Sequence, residues 1–138
     1  MRILGLDVGS KTIGVALSDA LCVTAQGIKT IEWTEHDMTS ADAELDQLIS
    51  AHDVSEIVLG LPKNMDGTIG ERGQLTEIYA NRLRKQFALP VHLIDERLTT
   101  VAAERTLLEA DISREKRKQV IDKMAATIIL QSYLDRRK

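Results

Sequence analysis

Strand-like segments fill the first third of the chain, and helix-like and strand-like segments alternate after them. The run EIVLGLP at 56–62 is almost entirely apolar, which is typical of a parallel strand covered on both faces. Three earlier stretches, at 2–7, 13–18 and 23–32, are joined by short connections, and this spacing predicts an antiparallel meander. The sequence therefore predicts an α/β fold with a mixed sheet, in which three antiparallel strands lead into parallel units and helices cover the faces.

The later segments complete this architecture. Periodicity predicts four helices and a fifth strand, the helices over 41–52, 73–87, 99–109 and 114–136 and the strand over 90–95. Ser113 is a predicted N-cap, and the glycine-containing loop at 63–73 is predicted to be a mobile lid. No repeat or linker interrupts the sequence, so we expect a single domain over 1–138.

Composition narrows the class of protein. With 43% hydrophobic and 28% charged residues, the chain has the make-up of a soluble globular protein. No apolar stretch approaches the roughly 20 residues of a membrane span, and no signal peptide is evident, so we expect a cytoplasmic protein with no membrane partner. A lone cysteine, Cys22, and three scattered histidines argue against a disulfide framework or a Cys-rich zinc site.

Charge is concentrated near the C-terminal end of the sequence. The net charge of −3 gives no overall attraction to nucleic acid, and 3% aromatic residues make a base-stacking platform improbable. Arg114, Lys118 and Asp122, however, are spaced by four and share one helix face. The two cations could hold phosphates beside an acid, or all three could belong to a solvated charged face.

Asp7, in the segment LGLDVGSKTIGVALSD, is the first candidate for a functional carboxylate. It follows the apolar run ILGL, and a partly buried carboxylate needs a hydrogen-bonding partner, a cation or a metal ion. The alternative is an aspartate that only helps to form the turn after the strand.

Asp122 is the second candidate for a functional carboxylate. Ala125, Ala126 and Ile129, at helical spacing from it, put Asp122 at the edge of a packing stripe. The alternative is that Asp122 pairs with a neighbouring lysine.

A third acid comes from LIDERLTT, where Asp95 and Glu96 end the last predicted strand. Adjacent strand residues point to opposite faces, so at most one of the two should join Asp7, and the pattern does not choose between them. The alternative is that Asp95 caps the following turn while Glu96 pairs with Arg97. Asp66 is a weaker candidate, since the glycine after it favours a turn.

These acids together predict a metal site. Oxygen ligands without histidine or cysteine suit Mg²⁺ or Mn²⁺, and two such ions about 4 Å apart would serve phosphodiester hydrolysis. The segment GLDVGSKT lacks the spacing of a Walker A loop and of a dinucleotide-binding motif. It is closer to the first phosphate motif of the actin, Hsp70 and sugar-kinase ATPases, so a nucleotide-binding protein is one rival hypothesis and a non-catalytic nucleic-acid adaptor is another.

Four blocks in order resemble the bacterial YqgF/RuvX family of ribonuclease H-like fold: GLDVGSKTIGVALSD, VLGLPKNMDGTIGERG, DERLTTVAAERTL and VIDKMAATIILQSYL. The resemblance implies a single ribonuclease H-like nuclease domain with a five-stranded mixed sheet. It also implies that Asp7, Glu96 and Asp122 are the catalytic acids and metal ligands. We expect Lys11, Arg97, Arg114 and Lys118 to contact substrate phosphates.

Members of this family are described both as Holliday junction resolvases and as nucleases that mature the 5′ end of 16S ribosomal RNA. A resolvase makes paired cuts and so should be a symmetric dimer. No dimer seam is evident in the sequence, which leaves monomer and homodimer open. The fold does not choose between these activities, but the missing dimer seam favours precursor rRNA as the nucleic-acid partner, with branched DNA as the alternative.

Overall fold

The computed structural model describes residues 1–98 and 114–137. Within them, one mixed sheet is packed between helices. The strands are β1 (Arg2–Val8), β2 (Thr12–Ser18), β3 (Ala25–Glu32), β4 (Val54–Leu61) and β5 (Val91–Asp95). The helices are α1 (Asp42–Ala51), α2 (Glu71–Phe87) and α3 (Arg114–Arg137), and a single 3₁₀ turn spans Glu96–Leu98.

The sheet has the order β3-β2-β1-β4-β5, with β1 in the centre. β1 pairs antiparallel with β2, and β2 antiparallel with β3, whereas β1, β4 and β5 run parallel to one another. This confirms the predicted five-stranded mixed sheet. Because parallel strands end at the same edge, the last residues of β1, β4 and β5 lie side by side there.

Alternation along β1 divides the core into two layers. Leu4 and Leu6 pack on the face covered by α1 and α2, in a cluster that includes Leu45 and Tyr79. Ile3 faces the other way and packs with Ala126, Leu130 and other apolar residues of α3. Positions 3, 5 and 7 of β1 therefore lie on the face that α3 covers.

Three predicted starts are out by two residues: β4 begins at Val54 rather than residue 56, and β3 and α2 differ for local reasons. β3 begins at Ala25 rather than residue 23, because the Asp19 carboxylate accepts the backbone N–H groups of Val23 and Thr24 at 2.7 and 3.0 Å and holds them in a turn. α2 begins at Glu71 rather than 73, with Gly70 as its extended N-cap residue. The loop predicted over 63–73 is thus shorter by three residues.

Other predictions fall outside the description. The helix predicted over 99–109 and the Ser113 N-cap lie outside the described residues. Of the helices within residues 1–98 and 114–137, none is both long enough and apolar enough to cross a membrane.

Candidate active site

Asp7 is a buried carboxylate at the end of the central strand. Its relative exposure is 5%, although its neighbours on β1 are apolar. It lies on the face covered by α3, two residues beyond Gly5. A Cβ atom at Gly5 would lie 2.7 Å from Leu130 Cβ and 3.3 Å from the carbonyl oxygen of Ala126, so the missing side chain allows α3 to pack directly on the strand that carries Asp7.

Glu96 reaches the same region from β5, across β4. It is the first residue of the 3₁₀ turn, and its side chain lies over Gly60 of β4. A Cβ atom at Gly60 would be 2.8 Å from Glu96 Oε1 and 3.0 Å from Glu96 Cγ. Because β4 separates β5 from β1 in the sheet, a glycine at this position leaves room for the glutamate to extend toward Asp7.

An open cleft of about 340 Å³ joins the two carboxylates at the edge where the parallel strands end. Its lining residues come from the end of β1 and the following turn, the end of β4, the first turn of α2, and the 3₁₀ turn: Asp7, Val8, Gly9, Ser10, Pro62, Arg72 and Glu96. The structure thus brings together two of the three predicted acids.

The third predicted acid, Asp122, belongs to α3, but its side chain is not among those that the structure describes. The direction of the α3 backbone shows where position 122 lies along the length of the strands. Lys123 and Thr127 lie over Gly27 of β3, whereas Gln131 accepts the backbone N–H of Ala25, two residues earlier on that strand. α3 therefore runs antiparallel to β1 and β3, and position 122 is in the half of the helix toward the edge where Asp7 lies.

The described residues provide part of the predicted metal site. Among the described residues, no group of three or more His, Cys, Asp or Glu side chains is arranged to hold a metal ion. Asp7 and Glu96 are two of the three predicted metal ligands. Their carboxylate oxygens are hard ligands of the kind that Mg²⁺ and Mn²⁺ prefer.

Arg72 is a cleft residue that the sequence reasoning missed. Its guanidinium forms an ion pair with Glu35, and its Nη2 lies 3.4 Å from the carbonyl oxygen of Val8, the residue after Asp7. Arg72 belongs to the segment GTIGERG, and the glycines of this segment led to the prediction of a loop rather than the start of a helix. The early start of α2 puts Arg72 in a helical first turn beside β1.

Asp95 and Arg97 form a separate ion pair. The backbone N–H of Arg97 donates to Asp95 Oδ1 at 3.0 Å, and Arg97 Nη2 donates to Asp95 Oδ2 at 2.9 Å. These hydrogen bonds hold the pKa of the Asp95 carboxyl below its usual value. Asp95 therefore does cap the turn, as its alternative interpretation proposed, and Arg97 has Asp95 as its described ion-pair partner.

Arg97 also connects this pair to the loop after β4. Its Nη1 donates to the carbonyl oxygen of Met65 at 3.2 Å. In the same loop, Asp66 accepts hydrogen bonds from the Thr68 hydroxyl at 2.6 Å and the Thr68 N–H at 3.0 Å, which lower the pKa of Asp66. Asp66 thus makes the turn expected of an Asp-Gly pair.

The remaining cationic candidates are not brought to the cleft by described contacts. Lys11 is an exposed residue next to the turn between β1 and β2, beside the cleft residue Ser10. Arg114 and Lys118 are in the first turns of α3, and their side chains lie outside the description. Their proposed contacts with phosphate stay predictions.

Trp33, the single tryptophan of the chain, reports on the turn that follows Asp7. Its indole N–H donates to the carbonyl oxygen of Gly9 at 2.9 Å, and its backbone N–H donates to the carbonyl oxygen of Lys11 at 3.0 Å. Gly9 and Ser10 line the cleft, so the fluorescence of Trp33 is a built-in probe of the site.

Comparison with known proteins agrees with this geometry. A protein from Oceanobacillus iheyensis named "Putative pre-16S rRNA nuclease" is 66% identical over 137 residues, covering 99% of this chain and 100% of the relative. A protein of the same name from Listeria monocytogenes is 58% identical over 135 residues, covering 98% of each chain.

Solved structures share the fold at low sequence identity. Thermus thermophilus RuvC in complex with a Holliday junction substrate matches with a TM-score of 0.58 at 10% identity, covering 99% of this chain and 95% of RuvC. The Fowlpox virus Holliday junction resolvase matches with a TM-score of 0.59 at 15% identity over the full length of both chains. The family model described as "RuvX: Holliday junction resolvase" matches residues 1–136, and the chain therefore belongs to the RuvX family, with a ribonuclease H-like fold.

Proposed function

We propose that this protein is a metal-dependent nuclease that hydrolyses phosphodiester bonds in the 5′-end maturation of 16S ribosomal RNA. The observation that carries the proposal is the meeting of two carboxylates from distant parts of the sequence, Asp7 and Glu96, in one open cleft. The relatives' name supplies the substrate, and nucleases of the ribonuclease H-like fold typically depend on metal ions.

The carboxylates of Asp7 and Glu96 are suited to holding divalent cations. Asp7 is 5% exposed, and two carboxylates at one site repel each other unless a cation lies between them. Their oxygen donors suit Mg²⁺ or Mn²⁺, with Asp122 proposed as the third ligand. Such ions, when bound, supply an activated water and stabilise the leaving oxygen, and we propose a pair of them.

The protein's own residues would bind and orient the nucleic acid. The cleft is open to solvent at the sheet edge, and its described lining residues include no aromatic side chain on which a base could stack. Recognition inside the cleft would therefore depend on phosphates and backbone shape, while sequence selection depends on contacts elsewhere. This is consistent with a substrate defined by its position in a larger RNA structure.

The test is cleavage of two substrates by purified protein. A precursor 16S RNA spanning the 5′ end and a four-way DNA junction are each incubated with Mg²⁺ or Mn²⁺, with EDTA as control. The variants Asp7→Asn and Glu96→Gln should lose cleavage, whereas Asp95→Asn, which changes the neighbouring acid outside the cleft, should retain most of it. Trp33 fluorescence checks that each variant is folded.

The outcomes separate the hypotheses. Cleavage of the RNA alone, lost with EDTA and with both cleft variants, supports the proposal. Symmetric cuts in the junction would replace the substrate with branched DNA, the activity printed for the family model. Cleavage by Asp7→Asn at the parent rate would contradict the role proposed for this residue, and no cleavage of either substrate would favour an adaptor.

A further inference from the structure

We propose that Arg72 contacts a substrate phosphate in the cleft, and that Glu35 is the positioning residue that holds its guanidinium there. The proposal rests on the nuclease function proposed above. It follows from the distribution of charge among the described lining residues of the cleft, which carry two carboxylates and, in Arg72, one cation. A polyanionic strand entering this space meets Arg72 as a compensating charge on the described part of the cleft wall.

The geometry of Arg72 fits phosphate binding. Its side chain is 42% exposed, so part of it is open to solvent at the cleft wall. The contacts with Glu35 and Val8 engage one nitrogen each, Nη1 and Nη2. A guanidinium has five N–H donors in a planar fork that matches a phosphate, so among the described residues these two contacts leave donors for a ligand.

Glu35 is attached to the same turn as the cleft residues. Its backbone N–H donates to the carbonyl oxygen of Ser10 at 3.3 Å, and its side chain is 23% exposed. The Glu35 carboxylate therefore connects Arg72 of α2 to the turn between β1 and β2. This link fixes the guanidinium beside the backbone that follows Asp7, which would place a bound phosphate within reach of the carboxylates.

A purely structural role for Arg72 is the competing explanation. Arg72 could simply join α2 to the end of β1 through Glu35 and Val8. Arg82 provides a matched control, because it lies on the same helix and forms a comparable two-contact ion pair with Asp42 at 2.6 and 3.1 Å, away from the cleft. A purely structural role predicts that neither substitution changes the salt dependence of RNA binding, because no phosphate contact is lost.

The experiment measures RNA binding separately from cleavage. Fluorescence anisotropy gives the Kd of a labelled precursor 16S 5′-end RNA for the Asp7→Asn protein over a salt series, with and without Arg72→Gln. We expect Arg72→Gln to raise Kd about 10-fold and to reduce the slope of log K against log salt by about one contact, whereas Arg82→Gln changes neither. Arg72→Lys should restore the parent salt slope, because lysine keeps the positive charge. In the protein that retains Asp7, however, Arg72→Lys should cleave the RNA more slowly than the parent.

Glu35→Gln separates positioning from binding. It keeps the charge of Arg72 but removes its carboxylate partner, so the salt slope should stay unchanged while kcat falls. An unchanged Kd and slope for Arg72→Gln, or an equal loss for Arg82→Gln, would overturn the proposal. If Arg72→Gln does not fold, the Arg72→Lys variant tests the proposal instead. Full RNA binding with a reduced kcat supports the proposal, and an unchanged kcat overturns it. Cleavage by the Asp7→Asn protein would instead be a failure of the proposed function, visible on a gel.

Discussion

Substitution of Gly60 by alanine is expected to separate catalysis from stability. A Cβ atom at this position would lie 2.5 Å from Ile129 Cδ1 and 2.8 Å from Glu96 Oε1. Both neighbours are the far ends of flexible side chains, so the strands themselves need not move. The Glu96 carboxylate, however, must retreat by about 0.6 Å to reach the 3.4 Å at which ordinary contacts begin.

The two effects differ in size. Overpacking of a core costs about 1–3 kcal/mol of unfolding free energy, and the lower end applies here because flexible side-chain ends absorb the added methyl group. A displacement of about 1 Å in a catalytic group costs on the order of 10²-fold in rate, so a shift of the Glu96 carboxylate should reduce kcat by about 10- to 100-fold. Gly60→Ala should therefore be folded but about 10- to 100-fold slower in cleavage.

Gly27→Ala is the matched control for this prediction. A Cβ atom at Gly27 would lie 2.9 Å from Thr127 Oγ1 and 3.3 Å from the carbonyl oxygen of Lys123, so it presses on the same helix but from β3, away from Glu96. Denaturant unfolding followed by Trp33 fluorescence gives the stability of both variants, and cleavage of precursor 16S RNA gives kcat. Wild-type kcat for Gly60→Ala, or an equal loss of kcat in both variants, would refute the role assigned to the Glu96 position.

Three further outcomes are expected. Mg²⁺ or Mn²⁺ should raise the Tm of the parent protein, because a cation relieves the repulsion between the cleft carboxylates, and should leave that of Asp7→Asn nearly unchanged in calorimetry; an equal rise in both would contradict the metal site. Arg97→Gln should raise the pKa of Asp95 toward its usual value, observed as a shifted carboxyl ¹³C titration. The folded-state pKa of Asp95 lies below the unfolded one, so its contribution to stability is present above the unfolded pKa and is lost as the pH falls through the folded value; the variant should lose less stability in acid. Tyr79→Phe should raise the unfolding free energy by about 1 kcal/mol in denaturant titrations, since the buried Tyr79 hydroxyl has no hydrogen-bond partner among the described residues, and a loss of stability would reveal a missed partner.

The order and type of the elements could be predicted from the sequence because each carries a periodic signal. The continuous apolar run in β4 and the short connections between the first strands lead directly to the observed mixed sheet. The late start of β3 lies where a side chain bonds to backbone. Asp19 delays the start of β3 through its hydrogen bonds to Val23 and Thr24, and neither bond changes the hydrophobic pattern.

The site was only partly accessible to the same reasoning. Asp7 was identifiable because an acid after an apolar strand is unusual. The choice between Asp95 and Glu96 needed the family resemblance, since periodicity places adjacent residues on opposite faces without saying which face holds the site. Arg72 could not be identified from a pattern, because its presence in the cleft depends on where α2 begins and on the ion pair with Glu35.

Gly5 and Gly60, two of the glycines beneath α3, explain how the sheet can bring acids together at the ends of its parallel strands. Glycine weakens a strand, so Gly5 and Gly60 carry a cost to stability where they stand. At Gly5 the absent side chain lets α3 approach the strand of Asp7, and at Gly60 it gives Glu96 a path across β4. Both glycines lie on the same face of the sheet. Gly60 follows Leu59, the register partner of Leu6, and so lies level with Asp7, whereas Gly5 is two residues before Asp7. At Gly5 and Gly60 the sequence therefore departs from good strand composition where the proposed chemistry requires space, which is the expected signature of a functional site rather than of a packing defect.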